Sequence, residues 1–207
     1  GRELKPLFEP RSCPIGEVAL KVSDWSVFDG INNKWIVRDI NLEVREGEVI
    51  GLAGMIGAGR TELGMSIFGA LDDAITGKLE YRGRQRQRFK NSNEAIKAGV
   101  FYSSEDRKRY GLVLTSDIAY NASLSSLDKY INNGLFINRD KEYGKVKEMV
   151  KKLRIKTPSI LQRAGNLSGG NQQKVCLAKA LMTEPKVLIL DEATRGIDIG
   201  AKTEIYQ

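Results

Sequence analysis

The chain contains no histidine among its 207 residues, and this absence excludes every catalytic scheme that depends on an imidazole. It has only two cysteines, Cys13 and Cys176, which lie far apart without the spacing of a zinc site, so we expect neither a disulfide nor zinc. No apolar run approaches the roughly 20 residues of a membrane-spanning helix. The chain begins at Gly1 rather than methionine and lacks a signal-like segment, so we expect it to be part of a longer protein.

The charge balance is basic but does not identify a partner. Lysine and arginine exceed aspartate and glutamate by 33 to 26, which gives a net charge of +7. Such a charge attracts nucleotides, nucleic acid and anionic lipid alike. An arginine-rich hairpin with Arg84, Arg86 and Arg88 at every second position is predicted to form a solvated edge.

The order of predicted elements indicates one α/β domain over residues 16–207, preceded by a charge-rich and proline-rich linker over residues 1–15. Alternating runs around Leu20 and Leu42 predict antiparallel strands joined near residues 29–34. We then predict a strand over 48–53, a glycine loop, a helix, and a helical subdomain over about 112–183. Within that subdomain Asp140 is predicted to cap a helix. A last buried strand over 186–190 ends at Asp191.

The sequence GMIGAGRT has the spacing of a phosphate-binding loop. Its glycines let backbone N–H groups turn toward phosphate oxygens, and Thr61 can offer a hydroxyl to Mg²⁺. The general pattern has lysine where this chain has Arg60, which keeps the charge but is bulkier and forked. The predicted nucleotide-binding residues of this loop are Gly54, Met55, Ile56, Gly57, Ala58, Gly59, Arg60 and Thr61.

The sequence NLSGGNQQK is followed by the apolar run VLIL and then by Asp191 and Glu192. Two glycines after Ser168 are predicted to open a helix, and the amides at a helix start suit a phosphate group. A carboxylate pair at the end of a buried strand suits magnesium binding and the activation of water. Together with the glycine loop, these motifs indicate phosphoryl-transfer chemistry.

The order of these motifs resembles the ATP-binding-cassette (ABC) family, in which LSGGN is the signature and VLILDE the Walker B strand. The resemblance implies a P-loop NTPase core with an antiparallel β subdomain and a helical signature subdomain, which binds ATP and Mg²⁺. It implies that Asp191 binds magnesium through water and that Glu192 polarises the attacking water. It places Glu105 where the family has a glutamine that contacts magnesium, and Asp198 in the loop that communicates across the nucleotide interface.

The resemblance also implies an adenine-stacking residue and a shared nucleotide site. We choose Phe28 as the stacking residue over Trp25 and Trp35, although alternation places Trp25 in the core as easily. In the family, two nucleotide domains face head to tail, so the signature of one serves the ATP of the other. The signature residues with this implied role are Ser168, Gly169, Gly170, Asn171 and Gln172.

The combination of GAGRT, EDRK, LSGGNQQK and TRGIDIGAK is similar to the second, C-terminal half of the duplicated ATPase in bacterial monosaccharide importers of the ribose, galactose and xylose type. The similarity implies partners, namely the first nucleotide-binding half, membrane-spanning permease subunits and, indirectly, a periplasmic or lipid-anchored sugar-binding protein. It also implies a location at the cytoplasmic face of the cell membrane and no nucleic acid partner.

Two other readings stay open. One is a soluble ABC ATPase that acts on ribosomes or nucleic acid. The other is a half that binds nucleotide without hydrolysing it, which Arg60 favours and Glu192 opposes.

Overall fold

The computed structural model describes residues 13–86, 88–132, 134 and 136–192. The strands within these ranges are β1 (Val18–Asp29), β2 (Lys34–Arg45), β3 (Ala74–Tyr81), β4 (Arg84–Arg86), β5 (Val100–Ser103), β6 (Ile131–Asn132), β7 (Phe136–Ile137) and β8 (Val187–Leu190). The α-helices are α1 (Arg60–Phe68), α2 (Ser92–Ala98), α3 (Ile118–Ser123), α4 (Arg139–Lys152) and α5 (Gly169–Met182). A π-helical turn spans Arg107–Gly111, and 3-10 turns span Leu124–Tyr130 and Ala164–Asn166.

These residues form two compact units, each with its own core. The sheet unit comprises residues 13–102 and Pro185–Asp191, and the helical unit comprises Ser103–Glu184 together with Glu192. Every helix within the described ranges is too short or too polar to span a lipid bilayer.

The sheet unit contains a four-stranded antiparallel sheet in the order β2-β1-β3-β4. The predicted pairing of the first two strands is therefore confirmed. Their connection is built on Asp29, whose Oδ1 accepts hydrogen bonds from the N–H groups of Ile31 and Asn32 at 2.9 and 3.0 Å. The hydrogen bonds from Asn32 also lower the pKa of Asp29 below its ordinary value.

The predicted arginine-rich hairpin is present, but its arginines do not form one row. Strands β3 and β4 pair through Tyr81 and Arg84. Arg86 is half-buried and donates to Glu94 at 2.8 Å, whereas Arg88 lies beyond the end of β4. One of the three arginines is thus used inside the unit, because α2 presents a carboxylate to it.

Two strand predictions are corrected. Residues 48–53 form no strand, and Val49 is 96% exposed. An apolar run needs a neighbouring strand for its N–H and C=O groups, and within the described ranges none pairs with it. Strand β8 does form, but only Val187 is buried and Leu190 is 49% exposed, so the prediction of a wholly buried strand was wrong.

The helical unit packs α3, α4 and α5 around an apolar core that includes Ile118, Val146 and Val175. Helix α4 begins at Arg139, and its N-cap is Asn138, whose Oδ1 accepts from the N–H of Lys141 at 3.0 Å. Asp140 was the predicted cap; it lies instead in the first turn, where the helix dipole favours a carboxylate. The predicted helix is therefore present with a different cap.

Candidate functional site

The glycine loop leads directly into helix α1. Residues 54–58 are exposed, and Gly57 and Gly59 have φ angles of 79° and 81°. A Cβ on Gly59 would lie 2.7 Å from the carbonyl oxygen of Ile36, so the position requires glycine for space as well as for conformation. The Gly59 carbonyl accepts from the N–H of Leu63 at 2.8 Å and so starts the helix. The result is an accessible loop at a helix start, which is the geometry that suits a phosphate group.

The side chains of Thr61 and Asp191 meet at this loop, although 130 residues separate them. Thr61, in the first turn of α1, donates its hydroxyl to Oδ2 of Asp191 at 2.7 Å. Asp191 follows β8 and is partly exposed. A hydroxyl and a carboxylate side by side supply the oxygen ligands that Mg²⁺ prefers.

Tyr102 joins the same carboxylate and was missed by the sequence analysis. Its hydroxyl donates to Oδ2 of Asp191 at 2.8 Å. The only signal in the sequence was its place at the end of the apolar run VFY, and an aromatic residue at a strand end is more often a core residue. The structure therefore adds a third side chain to the predicted pair.

These oxygen groups fit a nucleotide-bound magnesium ion. Mg²⁺ is usually held by one or two carboxylates, by substrate phosphates and by waters rather than by a cage of protein ligands. No group of three or more acidic, cysteine or histidine side chains that could hold a metal is found within the described ranges. The chemistry of the donors and the open loop are thus compatible with Mg²⁺ and a polyphosphate.

Glu192 is exposed and has a φ angle of 41°, in the left-handed region that residues with a side chain rarely adopt. Such conformations concentrate at functional positions, although they do not define one. Its role toward water stays a prediction. Asp198, predicted to act across the nucleotide interface, lies outside the described residues.

The signature motif forms the start of α5, as predicted. Ser168 is the N-cap, and its Oγ accepts from the backbone N–H and the side-chain Nδ2 of Asn171 at 3.4 and 3.0 Å. Asn171 in turn accepts from the N–H of Lys156 at 2.9 Å. Ser168 and Gly169 are accessible, whereas Gly170 is buried. The exposed helix start is available to an anion, and its stabilisation comes from this short network.

Gln172 faces the interior of the helical unit. It is 6% exposed, and its Nε2 donates to the carbonyls of Ala164 and Leu167 at 3.3 and 3.2 Å. Its Oε1 accepts from Nε of Arg107 at 3.3 Å. Both ends of the amide thus bind protein groups, and the predicted contact of Gln172 with nucleotide stays a prediction.

Glu105 lies in the helical unit, just before the π-helical turn. Asp106 is the N-cap of this turn, and its Oδ1 accepts hydrogen bonds from the N–H groups of Lys108 and Arg109. At its other end, Lys179 of α5 donates to the carbonyl of Gly111. The turn is therefore fixed against α5, while the proposed contact of Glu105 with magnesium stays a prediction.

The three aromatic candidates for adenine stacking differ in burial. Trp25 is fully buried, and its Nε1 donates to Oγ of Ser66 at 2.9 Å, so it belongs to the core. Phe28 is half-buried and contacts Trp35 edge-on, with ring centroids 5.1 Å apart. Trp35 is 42% exposed. Trp25 is therefore a core residue, while the choice of Phe28 over Trp35 and its role toward adenine stay predictions.

A family model described as ABC transporter matches residues 37–195. The xylose import ATP-binding protein XylG of Moorella thermoacetica is 50% identical over 207 residues, which are 100% of this chain and 40% of that protein. The L-arabinose transport ATP-binding protein AraG of Geobacillus stearothermophilus is 45% identical over 100% of this chain and 40% of its own length. The ribose import ATP-binding protein RbsA of Clostridium tetani is 44% identical over 100% of this chain and 39% of its own length. The chain thus spans about 40% of the length of these relatives.

Solved structures give the same likeness at the level of the fold. A dimeric ATP-binding cassette in a post-hydrolysis state with ADP and Pi has a TM-score of 0.75, at 18% identity over 90% of this chain and 79% of that one. A nucleotide-free ATP-binding cassette from an ABC transporter also has a TM-score of 0.75, at 19% identity over 91% of this chain and 74% of that one. At these identities the likeness concerns the fold alone.

Proposed function

This chain belongs to the ABC transporter family, and from that premise we propose that it binds ATP with Mg²⁺ and hydrolyses ATP to power a monosaccharide importer. The predicted fold, a P-loop core of mixed α/β type with an antiparallel β subdomain, is confirmed. The observation that carries the proposal is the hydrogen bond of 2.7 Å between Thr61 and Asp191, which brings a hydroxyl and a carboxylate to one end of the glycine loop. The import of a sugar is supported by the names of the relatives, which concern xylose, L-arabinose and ribose.

The proposed roles follow from the chemistry of each side chain. The backbone of the glycine loop and Arg60 would hold the phosphates, and Thr61 and Asp191 would hold Mg²⁺, directly or through water. Magnesium would neutralise charge that develops on the phosphates during hydrolysis. Glu192 would accept a proton from the attacking water, and Phe28 would stack on the base. Glu105 would add a magnesium contact, and Asp198 a contact across the interface.

We propose further that the chain is the second nucleotide-binding half of a duplicated ATPase, with residues 1–15 as a linker and 16–207 as the nucleotide-binding domain. Its share of about 40% of the relatives' length supports one half. In a head-to-tail pair, the helix start at Ser168, Gly169, Gly170 and Asn171 would serve the ATP held by the first half. The membrane-spanning permease subunits would receive the motion at the cytoplasmic face of the membrane, and a sugar-binding protein would take part indirectly.

A second candidate function is a half that binds ATP without turning it over. The observation that favours it is Arg60, whose forked side chain stands where the general loop pattern has lysine. In that case the domain would contribute chiefly its signature face to the partner's site. Glu192, the proposed base, favours hydrolysis instead.

The experiment that tests the proposal is calorimetry of the purified chain with ATP and Mg²⁺. We expect micromolar binding in the wild type and its loss in a Thr61→Ala, Asp191→Asn double variant. Wild-type binding that equals the double variant would refute the nucleotide site. Tight and salt-sensitive binding of RNA or DNA would instead favour a role on nucleic acid.

A further inference from the structure

Oδ2 of Asp191 accepts hydrogen bonds from two hydroxyl groups, which belong to different elements of the sheet unit. Thr61 of α1 donates at 2.7 Å, and Tyr102 of β5 donates at 2.8 Å. A carboxylate held by one donor can still turn about its Cβ–Cγ bond. Two donors on separate elements restrict that rotation, because the carboxylate must satisfy both directions at once.

The ring of Tyr102 is itself held firmly. It is 9% exposed and lies against Phe68, with ring centroids 5.9 Å apart. A Cβ on Gly64 of α1 would lie 2.9 Å from Cε2 of Tyr102, so the glycine leaves room for the ring. The ring is thus packed on the helix that carries Thr61, and its hydroxyl has a fixed position.

We propose that Tyr102 is a positioning residue, which holds Asp191 in the orientation that receives magnesium. The inference rests on the proposed function, since it concerns the same magnesium site. Thr61 is itself a proposed magnesium ligand, so its hydroxyl serves two partners. Tyr102 is not among the proposed magnesium ligands, so its hydrogen bond to Oδ2 would orient the Asp191 carboxylate without competing for the ion.

A purely structural role is the competing explanation, because a buried tyrosine hydroxyl usually finds an acceptor. Tyr81 provides a matched control. It is 6% exposed in the same unit, and its hydroxyl donates to the carbonyl oxygen of Ala98 at 2.6 Å. Each tyrosine hydroxyl thus donates its proton to a protein oxygen, which is the Ala98 carbonyl for Tyr81 and the Asp191 carboxylate for Tyr102.

The test compares wild type, Tyr102→Phe and Tyr81→Phe by calorimetry with ATP at increasing Mg²⁺, and with ATP and a chelator. We expect Tyr102→Phe to raise the Mg²⁺ concentration for half-maximal binding about tenfold, the effect of one hydrogen bond to a charged group. Affinity without Mg²⁺ should not change, and Tyr81→Phe should behave as wild type in both conditions. An unchanged Mg²⁺ requirement in Tyr102→Phe would overturn the inference.

A second measurement needs no nucleotide. Mn²⁺, added alone, should broaden the NMR amide signals of Thr61 and Asp191, and Tyr102→Phe should need about tenfold more Mn²⁺ for equal broadening. Equal Mn²⁺ dependence in wild type and Tyr102→Phe, or no selective broadening in wild type, would refute the positioning role. Wild type that fails to bind ATP would refute the proposed function, while the Mn²⁺ series would still decide the role of Tyr102.

Discussion

Thr61 donates its hydroxyl to Asp191 across 2.7 Å, and this hydrogen bond links the start of helix α1 to the end of strand β8. Because a hydroxyl that donates to a carboxylate still has lone pairs to offer a metal, the pair can act as one site. The hydrogen bond therefore predicts that the hydroxyl oxygen of Thr61, and not its methyl group, is needed for magnesium binding.

Replacement of Thr61 by valine should weaken Mg²⁺-dependent ATP binding at least about tenfold, since the shape is kept and the hydroxyl is lost. Calorimetry with and without Mg²⁺ measures the effect. Thr61→Ser keeps the hydroxyl and should remain within about threefold of wild type. A serine variant as weak as the valine variant would show that the methyl group, and not the hydroxyl, is important.

Replacement of Gly59 by alanine should destabilise the chain by about 2 kcal/mol or more. Its φ of 81° costs an alanine about 1–2 kcal/mol, and the new Cβ would also lie 2.7 Å from the carbonyl oxygen of Ile36. Urea unfolding measures the loss. Gly57→Ala is the matched control, because φ is 79° but no atom of the described residues would lie within 4 Å of the added Cβ, so this variant should lose only about 1 kcal/mol. Equal losses would mean that the contact with Ile36 is relieved at little cost.

Much of the fold follows from local sequence pattern. The alternation around Leu20 and Leu42 predicts β1 and β2, and Ser168 before two glycines predicts the start of α5. The cap of α4 could not be fixed in this way, because Asn138 and Asp140 are both capping residue types and stand two positions apart.

The site residues that belong to a sequence motif were predicted, whereas a contact made by a residue outside these motifs was missed. The glycine loop and the carboxylates are visible as motifs, whereas the bond from Tyr102 to Asp191 joins positions 89 apart in the sequence. Only the packing of β5 against β8 and α1 brings that hydroxyl to the carboxylate. The absent strand at 48–53 has the same cause, since strand formation depends on a partner that an apolar run does not specify.

Glu142 of α4 is a buried charge, and its loss should destabilise the helical unit by about 2 kcal/mol. It is 0% exposed, accepts from Oγ of Ser123 at 2.6 Å, and accepts from Arg139 at 2.8 Å. The side chain of Arg139 is 57% exposed, so water can take the place of the carboxylate that Arg139 loses in the Glu142 variant. This limits the loss of stability. Thermal and urea unfolding of Glu142→Ala measure it.

Glu148→Ala is the control for Glu142, because it lies on the same helix and forms an exposed pair with Lys145. An exposed pair contributes little, so this variant should lose much less stability than Glu142→Ala. Losses of similar size in the two variants would contradict the importance of the buried hydrogen bonds.

The two cysteines should differ sharply toward a thiol reagent. Burial raises the pKa of Cys176 to about 11 from an ordinary value of 9.0, while Cys13 is exposed. A rise of two pKa units lowers the thiolate fraction near neutral pH about 100-fold, and burial also blocks access. A disulfide reagent at pH 8 should therefore modify one thiol in the folded chain and two in denaturant. In Cys13→Ser, rapid reaction of the folded chain would contradict this prediction.

The strongest functional prediction concerns Ser168, the exposed N-cap of α5. If the signature face completes the ATP site of the first half, Ser168→Arg should lower the ATPase rate of the assembled transporter at least about tenfold, because a bulky cation would occupy the anion-binding helix start. Loss of a cap alone costs about 1 kcal/mol of stability, and Asn138→Ala removes the cap of α4 as a control for that cost. The control should leave the ATPase rate unchanged.

Comparison of Ser168→Arg with Glu192→Gln then separates the two ATP sites. If Arg60 makes this domain's own site slow, the Glu192 variant should lose much less ATPase activity than Ser168→Arg. Normal ATPase activity in Ser168→Arg would rule out the contribution of this face, whereas equal losses in the two variants would mean that both sites turn over.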